Sequence, residues 1–162
     1  MIKIIKCSAI IFLIALPFAQ ANDVQLNITL NPLGKFQARS GRVEGTLKRY
    51  EEIITAKKLW VKVEDLKTEI SLRDWLFHKH LHAKEHPEIF MTHILASHGQ
   101  GRGWLHVNGV SKLIYFDYSK NADGKIETRF FVKPSDYKLK GSSFFFIKVE
   151  DRVEVIVTID SV

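Results

Sequence analysis

Apolar and polar residues alternate with period two along most of this chain. Val24, Leu26, Ile28 and Leu30 alternate with polar neighbours, and Leu59, Val61 and Val63 do the same, with Trp60 on the opposite face. Ile114, Phe116 and Tyr118 precede the turn Asn121-Ala-Asp-Gly124, and Ile126, Thr128, Phe130 and Val132 follow it. That pair predicts a β-hairpin, because Asp-Gly suits a turn that needs positive φ. Val149, Val153, Val155, Val157 and Ile159 share one face of a last strand, which Asp151 interrupts near its start. Further strands are expected within 35–48, 93–96 and 104–110. Period two is the signature of strands with one buried face.

One segment departs from it. In Thr68–Leu81 the residues Leu72, Trp75, Leu76 and Lys79 recur at helical spacing, with Thr68 or Ser71 as the N-cap. Pro87 lies beyond, and the residue before a proline avoids helical geometry. The expectation is an all-β chain with one short helical insertion. Its antiparallel strands, joined by short turns, form a barrel or a sandwich. An eight-stranded barrel is wide enough to hold one small ligand. Several strands are apolar on both faces. Leu113 and Tyr115 oppose Ile114 and Phe116, which offers one face to the helix or to a second copy in a homodimer.

Composition then sets the compartment. Lys3 and Lys6 precede the apolar run Ala9–Leu16, Pro17 breaks it, and Ala19-Gln20-Ala21 is a small-x-small cleavage signal. Residues 1–21 are therefore expected to be a cleaved signal peptide, leaving 22–162 as one exported, periplasmic domain. The apolar run falls short of the roughly 20 residues a membrane span needs. The sole cysteine, Cys7, leaves with the signal, so the remaining chain relies on its core. The 24 Lys and Arg residues fall to 22 without Lys3 and Lys6, against 18 Asp and Glu, a net +4. The basic residues are scattered, with no arm suited to nucleic acid.

All seven histidines lie between positions 78 and 106, four of them in the stretch His78-Lys-His80-Leu-His82-Ala-Lys-Glu-His86. On a helix His78, His82 and His86 would share one side, and imidazoles so placed can hold Zn²⁺ or Cu²⁺. In an extended chain His78, His80 and His82 share a face instead. Glu85 or Glu88 could add a carboxylate, but no HExxH occurs. The same cluster also reads as a solvated, pH-sensitive basic face near a cavity mouth. Arg73-Asp74 reads as an Arg that pairs with a carboxylate and ties the helix to the barrel, since Arg cannot serve as a base. Gly99–Gly103 is glycine-rich without the Gly-Lys-Ser/Thr ending of a phosphate loop and reads as a hairpin loop. Arg102, Lys112 and Arg129 are candidates to meet a phosphate group near the cavity mouth. No Gly-x-Ser-x-Gly occurs, and no convergent acid, base and nucleophile set is visible.

Several blocks together carry a resemblance. They are Phe36–Gly45, Val63–Thr68, Arg73-Asp74 followed by Pro87-Glu-Ile89, Gly103-Trp-Leu-His-Val-Asn-Gly-Val-Ser-Lys112, Pro134-Ser-Asp-Tyr137 and Glu150–Val155. In this order they resemble the YceI-like family, exported lipocalin-like proteins associated with binding polyisoprenoid lipids. The chain departs from it at Lys138, where the family often has glycine, and in its histidine-rich spacer. The resemblance implies an antiparallel lipocalin-like barrel of about eight strands with an elongated apolar cavity. It implies a non-enzymatic role without a cofactor, with an isoprenoid-like or other long-chain amphiphile as ligand. Alternation within such a barrel nominates Leu59, Val61, Val63, Leu105, Val107, Ile114, Phe116, Val153 and Val155 as lining. The alternative is a periplasmic metal-binding or metal-responsive protein that uses His78, His82 and His86.

Overall fold

The alternating segments become strands in a computed structural model that describes residues 22–32, 34–139, 143–144 and 147–160. The expected signal peptide and Cys7 lie outside the described residues. In chain order the elements are β1 (Asp23–Asn31), β2 (Gly34–Ser40), β3 (Glu44–Gly45), β4 (Lys48–Tyr50), β5 (Ile53–Lys62), α1 (Ser71–His80), β6 (Glu88–Ser97), β7 (Gln100–Val107), β8 (Val110–Lys120), β9 (Ile126–Val132), β10 (Ser143–Phe144) and β11 (Ile147–Ile159). Eight of these strands have seven or more residues.

All strands belong to one curled antiparallel sheet in the order β2-β1-β11-β9-β8-β7-β6-β5-β3. The segment 34–50 pairs with both ends of this order, with β1 through β2 and with β5 through β3 and β4. A bridge between Arg39 and Lys67 adds two backbone hydrogen bonds of 2.8 Å. This is the lipocalin-like barrel expected from the sequence, built on the antiparallel ladders that period two requires.

Register decides which side chains face inward. Val24, Leu26 and Ile28 lie opposite Val157, Val155 and Val153, and Val155 in turn lies opposite Phe130. The β1–β11 pairing then jumps from Ile28–Val153 to Leu30–Val149. The extra β11 residues form a bulge, and this is where Asp151 interrupts the apolar face. Asp151 is not stranded there, because its carboxylate accepts hydrogen bonds from the Ser135 N–H (2.8 Å) and hydroxyl. A second irregularity falls between Thr92 and Leu95 in β6, where His93 has φ 51°. It shifts the inward parity from Ile89 and Met91 to Ile94 and Ala96, which simple alternation cannot foresee.

The glycine-rich stretch is not a loop. Only His98 and Gly99 form the turn, and Gly101 and Gly103 lie within β7. A Cβ on Gly101 would meet the Phe116 ring at 2.3 Å, and one on Gly103 would meet Met91 Sδ at 2.7 Å. These glycines make room for large inward side chains from the neighbouring strands. The 121–125 hairpin is as expected, with Gly124 at φ 78° and the Asn121 side chain accepting hydrogen bonds from the Asp123 and Lys125 N–H groups. The outward residues Leu113 and Tyr115, the face the sequence offers to a second copy, are exposed beside Trp104.

Lys138 occupies the position where the family often has glycine, and its backbone has φ 59° and ψ 16°. It closes the 3-10 turn Pro134–Tyr137 in the left-handed conformation that glycine adopts without cost. A lysine there carries about 1–2 kcal/mol of strain, partly offset in a Gly variant by its freer unfolded chain. Lys138→Gly is therefore expected to raise stability by up to about 1 kcal/mol, read as a higher urea midpoint with an unchanged slope.

Candidate functional site

The curled sheet encloses a cavity of about 810 Å³. Every long strand contributes to its wall, and α1 contributes at one end. Of the nominated residues, Leu59, Val61, Leu105, Val107, Phe116, Val153 and Val155 border the cavity. Val63 does not. It begins the 3-10 turn after β5, is fully buried, and donates its N–H to the Pro87 carbonyl at 2.8 Å. Ile114 also stands back from the wall, half-buried against the core. Its cross-strand partner is Gly103, and Met91 lies over that glycine on the cavity side.

Much of the wall was not nominated from the sequence. Val24, Leu26, Ile28 and Leu30 border the cavity along β1, and Val157 and Ile159 continue it along β11. Their alternation was the signal that could have found them. Phe77 and Leu81, from the α1 region, had no comparable signal, because the helical spacing picked out Leu72, Trp75, Leu76 and Lys79, of which only Leu76 and Lys79 border the cavity.

The helix turns only part of its apolar set to the tube. Leu76, Phe77, His80 and Arg73 border the cavity, whereas Leu72 is 67% and Trp75 58% exposed. Two anchors set this rotation. Asp74 accepts hydrogen bonds from the Thr68 N–H (2.6 Å) and hydroxyl (2.7 Å), and His78 Nε2 lies 2.8 Å from the Leu66 carbonyl. The N-cap is Ile70 rather than Thr68 or Ser71, and it provides no side-chain cap. Thr68 instead gives its donors to the Asp74 carboxylate in the first helical turn. Arg73 does not pair with a carboxylate among the described residues. Its guanidinium lies 4.9 Å from the Phe36 ring centre, and Phe77 meets the same ring edge-on at 6.5 Å. The tie from helix to barrel is thus aromatic and cation–π in character.

The polar residues of the wall are concentrated at this end: Arg73, Lys79 and His80 from α1, with Ser135, Glu150 and Asp151 opposite. Burial, then the charge of His82, pushes the His80 imidazole below its ordinary 6.5. Tyr137 is buried in the wall, and burial followed by the Asp136 charge raises its phenol to about 12. It remains a neutral phenol.

The metal expectation is not supported. No group of three His, Cys, Asp or Glu residues among the described residues could hold an ion. The helix stops at His80 and His82 has φ 51°, so the shared face of His78, His82 and His86 is lost. Each ring also has its own neighbour: Leu66 for His78, Asn108 Oδ1 at 2.7 Å for His82 Nδ1, and Gly109 for His86. The candidate phosphate contacts are engaged elsewhere or turned outward. Lys112 pairs with Asp136 at 3.1 Å, Arg129 with Glu154 at 3.4 Å, and Arg102 is exposed opposite Tyr115.

No family model matches the chain, and no curated protein matches it. Solved structures do. BcnA from Burkholderia cenocepacia is similar over 85% of this chain and 94% of its own, with a TM-score of 0.67 and 12% identity. A polyisoprenoid-binding domain from Saccharophagus degradans is similar over 87% and 93%, with a TM-score of 0.60 and 11% identity. A mutant YceI protein from Campylobacter jejuni is similar over 74% and 80%, with a TM-score of 0.56 and 20% identity. The chain therefore has the YceI-type fold, in agreement with the resemblance carried by its sequence blocks.

Two outcomes follow for this end of the tube. Asp74→Ala leaves the Thr68 donors without their acceptor and is expected to cost about 1–2 kcal/mol, with faster hydrogen exchange confined to residues 68–81. The second concerns pH. His80 and His106 are both held below 6.5, mainly by burial, and for His106 also by His93 and Lys58. The unfolded chain then binds protons more readily than the folded one, so their stabilising effect is complete above pH 6.5 and lost as pH falls below it. Asp74 is held below 3.8: burial alone would raise it, but its Thr68 hydrogen bonds outweigh burial. Its contribution is lost only below that range. Urea titrations should show lower stability at pH 5 than at pH 7.5, with a smaller difference in His80→Gln.

Proposed function

We propose that this chain is a non-enzymatic periplasmic carrier or scavenger of an isoprenoid-like or other long-chain amphiphile, exported behind the leader Met1–Ala21. The observation that carries this reading is the cavity itself: a tube walled by Val, Ile, Leu and Phe, with its charged groups gathered at the α1 end. Its volume of about 810 Å³ lies within the range of small-molecule sites. An apolar chain buried there gains about 0.8 kcal/mol per methylene. The polar head then lies among Arg73, Lys79 and His80. The shared fold with the Saccharophagus degradans domain, whose name records polyisoprenoid binding, supports the same ligand class. The neutral Tyr137 and the aliphatic wall suit holding a ligand rather than transforming it. No helix among the described residues is long and apolar enough to cross a membrane.

Native mass spectrometry of protein from the periplasmic fraction, followed by organic extraction, tests the reading. A bound species that extracts into organic solvent is expected. Recovery of bare chain that also fails to take up long-chain probes would refute it. Val107→Trp projects an indole into the tube. If it excludes two methylenes of the ligand, binding weakens by about tenfold, while the urea midpoint changes little because the cavity accommodates the ring.

A further inference from the structure

The outward face of α1 has a use that the cavity does not explain. Leu72 and Trp75 lie at i and i+3 on this face, Ile70 precedes them, 50% exposed, and Lys79 stands at its edge, where it also borders the cavity. The Lys79 ammonium lies 5.1 Å from the Trp75 ring centre. An apolar face with tryptophan at its centre and lysine beside it is the composition of helices that lie in a lipid–water interface.

Charge favours the same partner. Lys67 and Lys84 flank the helix, Arg73 and Lys79 lie on it, and Lys35 and Arg39 belong to the β2 strand against which α1 packs. Five acidic residues lie in the same region, Glu64, Asp65, Glu69, Asp74 and Glu85, of which Asp65 pairs with Arg42 at 3.8 Å and Asp74 is engaged with Thr68. Each basic residue near an anionic membrane surface adds to attraction within a Debye length.

The helix also borders the cavity with its opposite face, through Leu76, Phe77 and His80. The exposed residues Trp104, Leu113 and Tyr115, by contrast, lie on the outer wall, and none of these three borders the cavity. We propose that the outward face of α1, centred on Leu72 and Trp75 and flanked by Lys67 and Lys84, docks on an anionic lipid surface and sets the α1 end of the cavity against the headgroup layer. This rests on the lipid-carrier reading, since a water-insoluble chain must enter from a bilayer.

Flotation of the purified protein with phosphatidylglycerol–phosphatidylcholine vesicles tests the proposal, with phosphatidylcholine vesicles for comparison. Co-flotation with the anionic vesicles is expected, together with a blue shift in emission that disappears in Trp75→Phe. Leu72→Ser combined with Trp75→Ser should weaken vesicle binding by on the order of tenfold or more, and Lys84→Glu, at an exposed site away from the cavity wall, should weaken it further at low salt. Both sites are exposed, so the fold should tolerate the changes, and binding of a fluorescent long-chain probe in solution should be unaffected. Vesicle binding as strong in the double variant as in the parent overturns the proposal. Probe binding without flotation also overturns it, leaving the carrier reading intact and assigning the face to a protein partner. Flotation without probe uptake upholds the surface and removes the carrier reading instead.

Discussion

Everything in this molecule depends on inward side chains staying inward along ladders that curl into a tube. A shift of one residue in the β1–β11 pairing would turn Val24, Leu26 and Ile28 outward and present their polar neighbours to the cavity. Register is fixed by cross-strand pairs such as Leu26–Val155 and Val155–Phe130. Where the chain must break register, it does so locally and satisfies the result. The bulge at Asp151 is held by Ser135, and the change of parity in β6 is absorbed at His93. Gly101 and Gly103 complete the arrangement by leaving space for Phe116 and Met91.

The helix is held by different forces from the sheet. Its position rests on one carboxylate, one imidazole and one aromatic contact, from Asp74, His78 and Phe77. These contacts give α1 two working faces. One completes a wall of the cavity and brings charge to its end. The other leaves apolar residues in solvent, which a helix placed only to cover a core would turn inward.

The strands were legible because alternation is a local property, and a half-buried strand cannot avoid it. The β1, β9 and β11 faces and the 121–125 hairpin follow from it directly. What escaped was set by distant partners. Val63 has the right parity, but the chain leaves the sheet there to reach Pro87. Ile114 has the right parity too, yet it stands back from the wall, opposite a glycine, Gly103, over which Met91 lies. Of the residues at helical spacing, Leu76 borders the cavity while Leu72 and Trp75 stay in solvent, because the Asp74–Thr68 anchor rather than hydrophobicity sets the rotation. The histidines looked like a ligand set because either a helix or an extended chain would align three of them, whereas the helix ends at His80 and the chain turns at His82.

The segment 34–50 serves two edges, and this has a mechanical consequence. Closure here does not run along a full ladder between two long strands. It passes through the short β3 and β4 pairings and the single Arg39–Lys67 bridge. Releasing that bridge forfeits two hydrogen bonds, at about 1 kcal/mol net each, whereas parting any other pair of long strands would break an entire row. The girth of the tube is therefore least constrained along this seam, beside α1. A bulky occupant of the cavity would meet its softest resistance there.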